Sequence, residues 1–236
     1  MGVDKSSARI RQMFGEIARR YDFLNHFLSA GIDRRWRRRT VAEVPPGAGP
    51  VLDVCTGTAD LALEYWRASG GRVKVVGADF CRPMLKIAGE KCRQAGAGDA
   101  LLLVESDALQ LPFAAATFQV VCVAFGLRNV SDTDGGLAEM SRVCRPGGRV
   151  AVLEFSMPKS WLLRTIYKGY FRWILPRVGQ AIAHNRQGAY NYLPESVREF
   201  PDATAMLRRM EAARLGQVKF RRFTWGVATL YTGVRT

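Results

Sequence analysis

Five apolar runs limit what this chain can fold into: VLDV (51–54), VKVVGAD (73–79), ALLLVESD (100–107), FQVVCVAF (118–125) and RVAVLEF (149–155). Each is short, and the fourth is continuously apolar, as a strand covered on both faces must be. Stretches with helical character stand between them near 59–69, 83–95 and 133–144, the last leading through an RPGG turn into the fifth run. Strands alternating with helices imply parallel pairing through right-handed crossovers, and hence a doubly wound α/β sheet. The tail breaks this pattern. A helix near 202–214 is expected to stop at Gly216, after which VKFRRF (218–223) and GVATLYTGV (226–234) lie back to back. Too little chain separates them for a crossover helix, so they are expected to form an antiparallel hairpin. The expectation is a mostly parallel, seven-stranded sheet with that hairpin at its C-terminal end.

Two further segments complete the organisation. Residues 6–30 space their apolar positions helically (Ile10, Met13, Phe14, Ile17, Tyr21, Leu24, Phe27, Leu28), and RRWRRR follows at Arg34–Arg39. PPGAGP (45–50) then breaks the chain before the first strand. Residues 1–44 read as a helical lid and 156–200 as a helical cap insert, both parts of one domain spanning 1–236.

The first strand runs through Asp53 into CTGTAD. A phosphate-gripping loop would need G-x-x-x-x-G-K-[ST] or G-x-G-x-x-G, whose glycines let pyrophosphate approach the backbone. Here Gly57 stands alone between Thr56 and Thr58. The loop suits a ligand without phosphate. Asp53 can orient the loop or accept from a ligand ammonium, Gly57 lets backbone come close, and Thr58 or Asp60 can cap the next helix. Asp79 ends the second strand, where a carboxylate grips ribose hydroxyls. Asp107 ends the third and is followed by Ala108; it can accept from an adenine amino group. Three acidic strand ends at one edge point to a nucleoside.

Lys and Arg number 35 against 21 Asp and Glu, a net +14. Such a surplus favours an anionic partner, nucleic acid or an anionic membrane surface, over a neutral one. The five cysteines are odd in number and include no C-x-x-C, so reduced structural thiols in a cytoplasmic protein without a metal site are expected. MGVDKSSARI lacks the apolar centre of a signal peptide. Its M-G-x-x-x-S match is set aside as a chance match and the sequon at Asn129 because it falls inside the candidate site, and no run reaches the roughly 18 apolar residues of a spanning helix.

Four segments carry a more specific likeness. YDFLNHFLSAGIDRRWRR, AFGLRNV, RVCRPGGRVAVLEFS and YNYLPESVREFP resemble, in order and over nearly the full length, the menaquinone and ubiquinone biosynthesis C-methyltransferases. The sheet with its hairpin resembles that of class I S-adenosylmethionine-dependent methyltransferases. Departures from the family pattern are Leu24 for Met, Asp33 for His, Arg145 for Lys and Ala59 for Gly. Ala59 is expected at a helix start, with no need of positive φ. Asp33 removes a His as an obligatory base there.

The resemblance implies S-adenosyl-L-methionine as cofactor, with Thr58, Asp79, Asp107 and Ala108 in contact, and a polyprenyl quinol as acceptor. A quinol phenol ionises near pH 10, about as Tyr does. Its proton must be wholly or partly removed before the ring carbon attacks the sulfonium methyl. Arg128 is assigned to stabilise the phenolate or to organise a water with Asp107, Asn129 to bond a ring oxygen, and Tyr21 to close over the ring. Glu154 is either a base or a structural partner of the cap, and His26 and His184 are structural. WLLRTIYKGYFRWILPR (161–177) mixes aromatics with Lys and Arg as interfacial helices do, implying peripheral docking on the inner face of the membrane. Nucleic acid is not the expected partner: AFGLRN replaces the [DN]-P-P-[YF] of amino-group enzymes, and Cys122 lies inside a strand rather than beside a Pro. Demethylmenaquinol, the methoxy-polyprenyl benzoquinol of the ubiquinone route, or both remain as acceptors, and a homodimer stays open.

Overall fold

The computed structural model describes residues 4–158, 161, 165, 169, 189–201 and 203–236. Most of the expected cap insert, including nearly all of 161–177, lies outside them. Helices α1 (Ser7–Leu28) and α2 (Ile32–Glu43) come first, and then β1 (Val51–Val54), α3 (Asp60–Ala68), β2 (Val75–Asp79), α4 (Arg82–Gln94) and β3 (Leu101–Glu105). After these come β4 (Phe118–Ala124), α5 (Thr133–Val143), β5 (Cys144–Phe155), α6 (Ala189–Glu199), α7 (Ala203–Ala212), β6 (Leu215–Phe223) and β7 (Ala228–Arg235).

The strands form a 7-stranded sheet in the order β3-β2-β1-β4-β5-β7-β6. The first five pair in parallel, and β7 pairs antiparallel with both β5 and β6. Side chains alternate strictly along the central strands. Val120 and Cys122 of β4 join the apolar layer containing Trp36 and Tyr65, while Val121 and Val123 join the layer containing Leu137, Met140 and Met206. Both faces of β4 are therefore covered, which explains its uninterrupted apolar sequence.

Local chemistry sets the element ends. Asp132 accepts from the backbone N–H groups of Asp134 and Gly135, capping α5. Pro83 occupies the first turn of α4, where its missing N–H costs nothing.

Two boundaries differ from the sequence expectation. RPGG does not precede β5 but belongs to it. Phe118 pairs with Cys144 and Val120 with Arg149, so residues 145–148 are taken up as an irregularity in the ladder. Gly216 does not end α7. Arg214, at φ 60°, makes that turn, and Gly216 already pairs with Val234 inside β6.

Candidate active site

Strand order reverses between β1 and β4, and ligands of open α/β sheets bind in the crevice that this reversal leaves at the carboxyl ends. A cleft of about 770 Å³, open to solvent, lies there. One wall is formed by Gly57, Asp79, Phe80, Asp107 and Ala108, and the other by Lys5, Ile10, Phe14 and Tyr21 from the N-terminal segment. Phe125, Gly126 and Asn129, just past β4, close the third side.

The turn after β1 is bent repeatedly into left-handed conformation, at Cys55 (φ 53°), Gly57 (φ 57°) and Ala59 (φ 68°). Phe125, across the cleft, has φ 59°. Positive φ outside glycine is uncommon and gathers where surrounding structure enforces it. This corrects the expectation for Ala59. The backbone must turn left-handed at that residue to bring the start of α3 under the loop, so glycine at this position would be relaxed and Ala is not. At Gly57 an added Cβ would meet nothing within 4 Å, because that direction is the open cleft. At Gly126 it would stand 2.4 Å from Cβ of Cys55, so the two turns touch backbone to side chain.

The acidic residues divide into two groups. Asp79, at the end of β2, accepts from the backbone N–H groups of Gly57 (2.8 Å) and Cys81 (2.8 Å). It fixes the loop and faces the cleft, and burial raises its pKa against those hydrogen bonds. Asp107 lies two residues beyond β3, lines the cleft and accepts from the N–H of Leu109 at 2.9 Å. Asp53 does not join them. It sits 1% exposed beneath the loop, accepting from Thr56 Oγ1 (2.7 Å) and the N–H of Ala62 (3.1 Å). Of the two roles expected for Asp53, the geometry provides loop orientation rather than contact with a ligand. Burial lifts its carboxyl to about 7.

Thr58 also stands behind the loop. Its hydroxyl donates to Asp22 of α1, and Lys91 Nζ of α4 donates to it at 3.3 Å. Lys91 further pairs with Asp22 (2.7 Å) and with Asp60 of α3 (2.5 Å). These contacts fasten α1 over the cleft. Sequence reasoning missed them because they join residues from four distant elements. Burial disfavours ionised Asp60, but Arg37 and Lys91 overcome it and hold the carboxyl below its ordinary value. His26 Nδ1 lies 2.8 Å from Asp33, which also pairs with Arg37, so Asp33 takes a structural place in the same network.

The expected catalytic residues separate too. Asn129 lines the cleft; its Nδ2 donates to the carbonyl of Phe125 at 3.4 Å, and its Oδ1 is buried without a partner among the described residues. Tyr21 lines the cleft and stands edge-on to Phe14, with ring centroids 5.8 Å apart. Burial raises its pKa, so the phenol stays protonated. Arg128 is absent from the wall. Its Nη1 donates to the carbonyl of Phe125 and to Glu154 Oε2 (3.1 Å), and Glu154 is 0% exposed. A buried guanidinium demands a buried counter-charge, and Glu154 supplies it. Glu154 is thereby a structural partner of Arg128 rather than a free base, and Arg128 holds the 125–129 turn instead of reaching the cleft.

The cleft fits a nucleoside that carries a positive charge and no phosphate. Its wall offers two carboxylates beside a bare glycine, and among its described residues Lys5 is the one cation. Ser106 Oγ is buried there without a partner among the described residues. Asp79 and Asp107 line this end of the cleft together with Gly57 and Ala108.

Comparison with solved structures bears on the fold. The chain aligns with a SAM-dependent methyltransferase from Thermotoga maritima at a TM-score of 0.65, with 15% identity, covering 95% of this chain and 98% of that one. It also aligns with the [4+2]-cyclase SpnF at 0.70, with 15% identity, covering 96% and 94%. One scaffold carrying different chemistries means that likeness at this level identifies the fold alone. Sequence relatives are more specific. A demethylmenaquinone methyltransferase from Thermus thermophilus is 46% identical over 224 residues, 94% of this chain and 100% of its own. One from Deinococcus radiodurans is 44% identical over 232 residues, 98% and 93%. A ubiquinone/menaquinone biosynthesis C-methyltransferase from Geobacter sulfurreducens is likewise 44% identical over 232 residues, 98% and 90%. With the family profile also matched across residues 2–235, the chain belongs to the ubiE/COQ5 methyltransferase family.

Proposed function

We propose that this protein methylates a ring carbon of demethylmenaquinol, with the methoxy-polyprenyl benzoquinol of the ubiquinone route as the alternative acceptor. One observation carries the reading. A single cleft joins a carboxylate-lined end suited to an adenosyl group with an apolar, aromatic end built from α1. When bound, S-adenosylmethionine supplies an electrophilic methyl group.

The chain's own residues do the rest. Asp79 and Asp107 hold the nucleoside, and Gly57 lets it lie against the backbone. Asn129 Oδ1 accepts the quinol hydroxyl, while Ile10, Phe14 and Tyr21 cover the ring and keep water away. Arg128 is a positioning residue, tying Phe125 to Glu154 so that the turn bearing Asn129 keeps its shape. Opposite charges cancel as the methyl moves, so a dry cleft favours transfer, and fixed orientation can save on the order of 7–11 kcal/mol.

Membrane docking is part of the proposal. Among the described residues no helix is long and apolar enough to cross a membrane. Arg34, Arg35, Arg38 and Arg39 are exposed on α2, and Trp225 is 77% exposed in the 224–226 turn. Trp36 Nε1 donates to Thr224 at 2.8 Å, joining the two. That turn precedes Ala228, which pairs with Phe155 at the carboxyl end of β5, the edge where the cleft opens. Basic residues beside an exposed Trp suit an anionic lipid surface, and they would set the mouth of the cleft where a prenyl tail resides.

Purified protein should transfer methyl to short-chain demethylmenaquinol under reducing conditions and not to tRNA; the opposite preference refutes the reading. Docking predicts liposome binding that weakens with salt and with Trp225→Ala; binding indifferent to both eliminates the lipid surface.

A further inference from the structure

The acceptor reading leaves a charge unaccounted for. A quinol oxygen must carry negative charge before its ring carbon attacks, and the expected cation, Arg128, is compensated by Glu154 outside the cleft wall. Lys5 is in the wall. It lies two residues before α1 in a segment held by the N–H of Ser6 on Asp4 (2.9 Å) and by the N–H of Ile10 on the carbonyl of Ser6 (3.0 Å). Ile10 in turn is 1% exposed and packs with Met13, Ile17 and Tyr192, so this segment is anchored to the core. Lys5 is half-buried and has no ion-pair partner within 4.0 Å among the described residues; the neighbouring Asp4 faces Arg9 at 3.7 Å. Burial draws the ammonium below its ordinary value, with Glu199 and Glu154 pulling it back and Arg128 adding to the fall.

The same cleft holds the unpartnered Asn129 Oδ1. An acceptor without a donor and a cation without an anion match the two states of one phenol: the hydroxyl donates to Asn129, and the phenolate pairs with a cation. Resting on the acceptor reading above, we infer that Lys5 contacts the quinol oxygen and stabilises the phenolate that must form before methyl transfer. The phenol first gives its proton to water and keeps the electron pair on oxygen; that charge then moves into the ring as the carbon attacks and returns to oxygen when aromaticity is restored. The ring carbon gains the methyl, the sulfur keeps the electrons of the broken bond, and the ring proton is then lost as aromaticity returns. Lys5 forms no covalent bond.

The test uses Lys5→Met and Lys5→Arg in the full chain, with short-chain demethylmenaquinol. Losing the charge-assisted hydrogen bond that holds the phenolate lowers the reactive fraction and with it kcat, roughly 10- to 100-fold, while KM moves less than about threefold. The ascending limb of the kcat–pH profile, which reports phenol ionisation, should move up by about 1–2 pH units in Lys5→Met and return in Lys5→Arg. Glu199, Glu154, Arg128, Asp79, Asp107, Tyr21, Cys55 and Cys81 are the other ionisable groups described around this site, and all are unchanged between the variants. Calorimetric affinity for S-adenosylhomocysteine should stay within twofold, which separates the effect from misfolding; if Lys5→Met fails that check, Lys5→Gln takes its place. An active wild-type enzyme whose Lys5→Met and Lys5→Gln variants keep the same kcat and pH limb overturns the inference alone. A wild-type chain that binds S-adenosylhomocysteine but methylates no quinol overturns the acceptor reading as well.

Discussion

Replacing Glu154 by Gln should cost more stability than any surface substitution, because this carboxylate has no water to fall back on. Glu154 is 0% exposed. One oxygen accepts from the N–H of Arg128 at 3.1 Å, and the other from Arg128 Nη1 at 3.1 Å and the N–H of Phe155 at 3.1 Å. Gln keeps one acceptor but turns an amide donor toward groups that also donate, and it leaves the buried guanidinium with only the Phe125 carbonyl. Removing one member of a buried pair costs about 3–5 kcal/mol. At about 2–4 °C per kcal/mol for a chain of this size, the unfolding midpoint should fall by roughly 6–20 °C. The assay is urea and thermal unfolding of Glu154→Gln, Arg128→Met and the double variant Arg128→Met/Glu154→Leu. The double variant should be more stable than either single, since apolar groups of similar volume carry no desolvation cost. A Glu154→Gln effect under about 1 kcal/mol, or single effects that add within about 0.5 kcal/mol, would falsify the buried-pair reasoning and restore Arg128 as a candidate for direct contact with the quinol.

Three other outcomes follow from the same geometry. Gly126→Ala should destabilise by about 1–3 kcal/mol, as overpacking does, and weaken S-adenosylhomocysteine binding in calorimetry, because the new Cβ would stand 2.4 Å from Cys55. Unchanged binding would mean that the two turns shift freely. Asp53 predicts a pH dependence. Native protein keeps its proton to about pH 7 and the unfolded chain only to about pH 4, so its contribution is complete below about pH 4 and is lost as pH rises toward 7. Asp33 and Asp60, held below the ordinary range, act in the opposite direction at lower pH. Unfolding from pH 4 to 7 should therefore show a shallower decline in Asp53→Asn than in wild type, and equal slopes would contradict the raised carboxyl. Lys91→Met removes the ion pairs from Asp22 of α1 and Asp60 of α3, leaving Asp22 with the Thr58 hydroxyl alone among the described residues; amide exchange in residues 7–28 should quicken about 10-fold or more while the sheet stays protected, and uniform exchange would show that α1 is held without these ion pairs.

Much of the scaffold was legible because period and composition report burial locally. FQVVCVAF could only be a strand covered on both sides, and β4 is one. The short gap between 223 and 226 forbade a crossover, and β6 and β7 pair antiparallel. Acidic strand ends at one edge were readable for the same reason, since strand direction and the alternation of elements fix which ends meet.

Depth and partnership were not legible. Asp53, Asp79 and Asp107 look alike in sequence, yet one lies beneath the loop and two line the cleft. Arg128 was expected in the site and lies behind the cleft wall, while Lys5, not singled out in the sequence, lines it, because a cation's availability depends on whether a carboxylate faces it, and Glu154 lies 26 residues from Arg128. Ala59 reads as an ordinary helix start, but its φ of 68° is imposed by where the loop must pass. The sequence by itself determined the order of elements, the sheet and the edge that carries the chemistry, because these follow from local periodicity and chain connectivity. Only the tertiary structure decided which charges are spent on one another and which are left facing the cleft, because Coulomb and desolvation energies depend on distances between residues that the chain itself keeps far apart.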